Sequence, residues 1–139
     1  MKVKDLMSRN VVSVTKDMSI RKLIKLMEEH RITGAPVVDE AGRLIGIVSG
    51  KDIISAIDHL LRVQLSLDEQ QEHKGRFNWV EGIMTREVLT ASEEDDVRGV
   101  FSQMVERKIH RIPVVREGKP VGIISSQDAC RLVSGLAQL

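Results

Sequence analysis

The sequence predicts an α/β protein built from two copies of one β-α-β-β-α unit, and three observations carry that expectation. The heptad GIVSGKD, from Gly46 to Asp52, returns as GIISSQD from Gly122 to Asp128. The chain lies on itself at an offset of 77 residues, which becomes 76 after one deletion in a loop. Each copy also passes through the same succession of apolar periods, first strand-like and then helical.

The first offset lays Met7 on Met84, Val11 on Val88, Ile20 on Val97 and Met27 on Met104. It also lays Ile32 on Ile109 and Pro36-Val37-Val38 on Pro113-Val114-Val115. After the deletion Gly42 meets Gly118, Gly46 meets Gly122, Ser49 meets Ser125 and Asp52 meets Asp128. A match sustained over this length with one slip is a duplication. The expected division is repeat 1 over 1–62, a linker over 63–78 and repeat 2 over 79–139.

Taken in order, Val11 to Val14 is a short apolar run and reads as a strand. Ile20, Leu23, Ile24 and Met27 follow the i, i+3, i+4, i+7 stripe of an amphipathic helix, as do Val97, Val100, Phe101 and Met104. The acidic run Glu93 to Asp96 suits the positive amino end of the second of these helices. Pro36 to Asp39 and Leu44 to Ser49 are β-rich runs around Glu40-Ala41-Gly42-Arg43, a hairpin signal. A second helix follows from about Lys51 to Leu61, with Ile54, Ile57 and Leu61 on one face. One unit alone buries too little surface, so the two copies are expected to pack together. The linker contains the polar run SLDEQQEHKGR, which has no apolar period and is expected to be a helix extension followed by a loop.

Composition removes several function classes. Twenty-one basic residues balance 20 acidic ones for a net charge of +1, and the aromatics are Phe77, Trp79 and Phe101 alone. Nothing in that balance calls for nucleic acid or anionic lipid, a local basic pocket staying open, and three aromatics are too few to stack a row of bases. A single cysteine, Cys130, forms no internal disulfide and no thiolate set for zinc; beside Ala129, Leu132 and Val133 it is expected to be a small buried hydrophobe. The amino terminus has no apolar run suited to a signal peptide or membrane span, so a cytoplasmic location is expected. His30, His59, His73 and His110 accompany neither a Gly-x-Ser-x-Gly elbow nor a paired-histidine metal spacing, so catalysis is not expected.

The heptads have two readings. Ser49-Gly50-Lys51-Asp52 has the spacing of a capping box, which stabilises a helix start by about 1 kcal/mol with no ligand. The same corner offers helix N–H groups to an anion and a carboxylate that accepts bonds from two neighbouring ribose hydroxyls.

Met7-Ser8, the helix stripe, Gly34 to Asp39 and the two heptads together resemble a tandem pair of CBS domains, a Bateman module. The resemblance covers roughly residues 3–57 and 80–134. It implies two pseudo-symmetric units packed through their sheets, with two clefts that commonly take adenosine compounds such as AMP, ADP, ATP or S-adenosylmethionine. It implies no catalytic cofactor, a regulatory rather than catalytic role, and a homodimer formed through helices. In that family each cleft draws its heptad from one repeat and its other wall from the second. One cleft would combine Ser49, Lys51 and Asp52 with Met84, Leu89, His110 and Arg111. The other would combine Ser125 and Asp128 with Met7, Val12 and Thr33.

The segment Lys108-Ile109-His110-Arg111-Ile112-Pro113 also resembles the phosphate-contacting stretch in the γ subunit of AMP-activated protein kinase. Arg111 offers a planar fork for phosphate oxygens, whereas Thr33, Gly34 and Gln127 opposite are uncharged. The cleft with Asp52 and Arg111 is therefore expected to bind a phosphorylated adenosine more tightly. Simpler roles stay open: His110 as a loop histidine, Arg111 paired with Glu117, and the methionines as core filler. The alternative function is a ligand-free dimerisation or interaction module. With Leu139 soon after the second repeat, the output is expected to pass through an unknown protein partner or through assembly state.

Overall fold

The computed structural model describes residues 1–62 and 77–137. The expected linker helix and loop over 63–76, with His73, lie outside the described residues.

The chain forms two compact units, and their boundaries cut across the sequence repeats. One unit is continuous, Val12–Glu87; the other joins Met1–Val11 to Val88–Leu139. Each repeat's leading segment thus belongs to the unit formed around the other repeat's hairpin.

The continuous unit starts with β1 (Val14–Thr15), shorter than the expected run from Val11 because only these two residues pair, in parallel, with β2. Helix α2 (Ile20–His30) begins on Ser19, whose hydroxyl accepts the Lys22 N–H at 3.1 Å. It ends on Arg31, which takes a left-handed φ of 53° and turns its N–H back to the last carbonyls. Strands β2 (Gly34–Val38) and β3 (Leu44–Ser49) pair antiparallel with a bulge at Val37/Val38. Their loop is held by Asp39 Oδ1, which accepts the N–H groups of Ala41 and Arg43, each at 2.9 Å. Helix α3 (Gly50–Arg62) follows β3 without a break.

The segment after the linker closes this unit. Val80 N–H donates to Met18 O at 2.9 Å, and the short helix α4 (Val80–Ile83) leads to Thr85. Thr85 then exchanges both backbone bonds with Ile47 of β3, at 2.8 and 2.9 Å. The core is Val14, Leu23, Met27, Ala35, Val37, Val48, Val80 and Met84. The helix stripe points inward except at Ile24, which is exposed.

The discontinuous unit repeats the plan with substitutions. Its opening strand is reduced to one parallel bridge, Ala91 to Val114. Helix α5 (Val97–Arg107) is capped by Asp96, which accepts the Arg98 N–H at 2.9 Å, as the acidic run suggested. It ends on Lys108 with φ 54°, the counterpart of Arg31. Strands β4 (Arg111–Arg116) and β5 (Lys119–Ser125) are joined by Glu117-Gly118, both at positive φ, the tight hairpin that the one-residue deletion creates. Helix α6 (Ser126–Ala137) follows.

Met1–Val11 completes that unit. Helix α1 (Val3–Leu6) is tied by Val3 N–H to Asp95 O at 2.8 Å and by Lys4 N–H to Glu93 O at 3.0 Å. Ser8 exchanges both backbone bonds with Ile123 of β5 at 2.9 Å, the counterpart of the Thr85–Ile47 pair. Val3, Met7, Ala91, Val97, Val100, Met104, Ile112, Val114 and Ile124 form the core.

One expectation is corrected. Cys130 is exposed rather than buried, because it stands two residues, about 200° of helix, from the buried Asp128 and so falls on the other side of α6. Ile54, Ile57 and Leu61 share a face of α3 as expected, and that face is exposed within the chain, at 69%, 51% and 81%.

Candidate functional site

Each unit carries one heptad corner, where the second strand of the hairpin runs straight into a helix, β3 into α3 and β5 into α6. In the continuous unit Asp52 stands on the first turn of α3 and reaches back. Its Oδ2 accepts the Ser49 N–H at 2.8 Å and the Ser49 hydroxyl at 3.2 Å. Half of the capping box is thus present, the acid satisfying the N–H of the residue before the helix. The serine hydroxyl, however, is turned onto the carboxylate. The Gly50 N–H is taken by Thr33 O at 3.0 Å, which fastens the end of α2's loop to the start of α3.

The second unit copies the corner closely. Asp128 Oδ2 accepts the Ser125 N–H at 2.7 Å and the Ser125 hydroxyl at 3.2 Å, while the Ser126 N–H donates to His110 O at 3.0 Å. The copies differ at the other carboxylate oxygen. Asp52 Oδ1 accepts the Thr85 hydroxyl at 2.9 Å. Asp128 Oδ1 is covered by the Arg131 guanidinium, which also donates to Leu6 O at 3.3 Å.

The leading glycine of each heptad is there for contact. A Cβ on Gly46 would stand 2.9 Å from Thr85 O and 3.1 Å from Met84 Sδ. A Cβ on Gly122 would stand 2.6 Å from Met7 Sδ and 3.0 Å from Ser8 O. The missing side chain lets the Met7 and Met84 segments pair edge to edge with β5 and β3.

The site residues expected from sequence therefore fall into two sets. Val12, Thr33, Ser49, Lys51, Asp52 and Met84 belong to the continuous unit; Met7, Leu89, His110, Arg111, Ser125 and Asp128 belong to the other. Met84 is brought to Gly46 beside the Asp52 corner, and Met7 to Gly122 beside the Asp128 corner. Both methionines are buried, and Leu89 packs on the core next to Met7. Lys51, Thr33 and His110 are exposed, and Val12 is half-buried. Arg111, also half-buried, lies opposite Ser125 in the β4–β5 register, as Gly34 lies opposite Ser49 in β2–β3.

Sequence reasoning missed Thr85 and Arg131. Arg131 left a signal, since it follows Asp128 by three residues on a helix, a spacing at which side chains meet. Thr85 left only its place after Met84.

A cavity adjoins each corner. That beside Asp52 has a volume of about 250 Å³ and is lined by Ser55, His59 and Gly82 among others. That beside Arg131 has a volume of about 380 Å³ and includes Asp5, Leu6, Met7 and Gly135. By the repeat offsets Ser55 corresponds to Arg131, His59 to Gly135 and Gly82 to Asp5, so the fold makes the same hollow twice with different chemistry. Among the described residues no group of histidine, cysteine, aspartate and glutamate side chains is arranged to hold a metal, and no helix is long and apolar enough to cross a membrane.

The chain's relatives agree with this duplicated plan. The L-aspartate semialdehyde sulfurtransferase of Methanocaldococcus jannaschii is 34% identical over 134 residues, covering 96% of this chain and 23% of that protein. The chain spans 23%, 42% and 24% of the lengths of three of the curated relatives it matches. The CBS domain pair of protein MJ0100, solved with 5-methylthioadenosine and S-adenosyl-L-methionine, is 32% identical, with a TM-score of 0.80 and 97% of each chain covered. Protein MJ1225 of Methanocaldococcus jannaschii, described as a putative archaeal homologue of the AMP-activated kinase γ subunit, is 29% identical with a TM-score of 0.79, covering 95% of this chain and 47% of that one. The CBS domain family matches twice, at residues 3–59 and 80–135, each match containing one heptad corner. The chain belongs to the CBS domain family and is a tandem CBS pair, a Bateman module.

Proposed function

We propose that this chain is a regulatory, non-catalytic module that binds an adenosine compound through its two heptad corners. The carrying observation is the duplicated Ser-x-x-Asp corner, in a chain 32% identical over nearly its whole length to a CBS pair solved with two adenosine compounds. A carboxylate fixed on a strand-to-helix turn accepts bonds from a ribose diol without moving, so little ordering is required on binding. AMP, ADP, ATP and S-adenosylmethionine are the ligands to test.

Following the family resemblance, the proposal groups Ser49, Lys51, Asp52, Met84, Leu89, His110 and Arg111 as one ligand set. Ser125, Asp128, Met7, Val12 and Thr33 form the other. The first set holds the cations and is the stronger binder of a phosphorylated ligand. The signal passes to a protein partner or through rearrangement of a cytoplasmic homodimer, which requires the ligand to favour one arrangement over the other.

Titration calorimetry with that panel tests the proposal on wild type, Asp52→Ala, Asp128→Ala and Arg111→Ala. Loss of nucleotide binding in Asp52→Ala and Arg111→Ala, with Asp128→Ala retaining it, is the expected result. Equal losses in both aspartate variants refute the asymmetry, and no binding by wild type refutes the sensor.

A second reading is a ligand-free dimerisation module. The exposed Ile54, Ile57 and Leu61 face of α3 favours it, because a lone chain leaves that face in water. A wild-type dimer that dissociates in Ile54→Glu while binding none of the panel would decide for it.

A further inference from the structure

Asp128 and Asp52 occupy the same place in their repeats, and their Oδ2 atoms have the same partners. Their Oδ1 atoms do not. Asp52 gives Oδ1 to a neutral hydroxyl from Thr85, at 2.9 Å. Asp128 gives it to the guanidinium of Arg131. The Asp128 side chain is 3% exposed and that of Arg131 is 64% exposed. An otherwise buried carboxylate is thus lidded by a cation that stands mostly in water.

A buried carboxylate oxygen needs a donor, and here the donor comes from the chain itself. A ribose diol approaching this corner needs the same oxygen. In the continuous unit the counterpart of Arg131 is Ser55, which carries no charge, and Thr85 frees Oδ1 by rotating one hydroxyl. In the discontinuous unit the ligand must displace a charge-assisted bond, roughly twice the strength of a neutral one. The displaced side chain has somewhere to go: Arg131 and Asp5 line the same cavity of about 380 Å³. Asp5 has no acidic counterpart, since Gly82 stands in its place.

We propose that Arg131 is a built-in competitor for the Asp128 corner, a gate that weakens diol binding there and swings towards Asp5 when a ligand enters. The gate rests on the ligand-binding reading above and extends it by naming a residue that separates the two corners. It acts on the hydroxyl end of a ligand, so its effect follows the ribose diol rather than the phosphate.

The test is calorimetry on the full chain with AMP and with 2′,3′-dideoxy-AMP. Asp52→Ala isolates the Asp128 corner, and Asp52→Ala/Arg131→Gln removes the gate while keeping a good helix former in α6. The expected result is about tenfold tighter AMP binding in the double variant, with no gain for the dideoxy compound. AMP binding that becomes measurable only in the double variant supports the gate equally. Unchanged or weaker AMP binding overturns it, as does an equal gain for the dideoxy compound. Wild type that binds AMP while both variants do not also overturns the gate and leaves the sensor standing. No AMP binding by wild type or either variant overturns the gate, and the sensor falls with it when wild type binds none of the wider panel either.

Discussion

The Thr85 hydroxyl donates to Asp52 Oδ1 at 2.9 Å, joining a residue of the segment after the linker to the first turn of α3. With the Thr85–Ile47 backbone pair, it makes Thr85 both an edge strand and a positioning group for the carboxylate. Thr85→Val keeps the shape and deletes the donor. It should lower stability by about 1 kcal/mol in urea denaturation with an unchanged m-value. Loss of the edge pairing as well would show as a changed m-value.

Asp128 is the more demanding of the two aspartates. It is 2% exposed, and its removal leaves the Ser125 N–H and hydroxyl without their acceptor. Asp128→Ala should cost roughly 1–3 kcal/mol. Asp52→Ala should cost less, because that corner is only half-buried. Thermal melts of the two variants side by side give the ranking.

The leading glycines of the heptads, Gly46 and Gly122, should tolerate no side chain. In Gly46→Ala the new methyl meets Thr85 O at 2.9 Å, a backbone atom that moves only if the edge pairing opens. In Gly122→Ala the nearest atom is the flexible Met7 Sδ, but Ser8 O follows at 3.0 Å. Each should lose roughly 1–3 kcal/mol, with Gly46→Ala the worse. Denaturant midpoints check the order.

Acid should weaken the attachment of the first residues. Bonds from Lys2 and then Lys4 hold the Glu94 carboxyl down to about 2 from its ordinary 4.5. A depressed folded-state value means that the contribution is whole above about pH 4.5 and disappears as pH falls towards 2. Glu94→Gln and wild type should therefore differ in melting temperature at pH 6 and converge near pH 2. Because the three groups are exposed, raising salt should shrink the difference as well.

Much of this molecule is written locally. The stripe from Ile20 to Met27, the acidic run at the start of α5, the hairpin signal from Glu40 to Arg43 and the heptads all depend on near neighbours, so periodicity and spacing disclose them. What escaped depends on distant pairing. Nothing in MKVKDLMSRN says that Ser8 will pair with Ile123 rather than with its own repeat's β3, because a two-bond edge contact leaves no period in either segment. Thr85 at Asp52 was hidden for the same reason. Arg131 was legible in principle from its helical spacing, but reading the heptad ended at Asp128. Cys130 misled because its apolar neighbours describe the helix and not the face it turns outward.

The exchanged leading segments bear on how the chain is made. Met1–Val11 leaves the ribosome well before its partners Asp95 and Ile123. The continuous unit, complete at Glu87, has every partner in hand while the rest is still being synthesised. The opening eleven residues must wait, unpaired, until β5 emerges, and closing so long a loop is the entropic cost of the arrangement. Vectorial synthesis thus imposes an order on two units that the repeat would make equal: the continuous one matures first, and the discontinuous one closes after it.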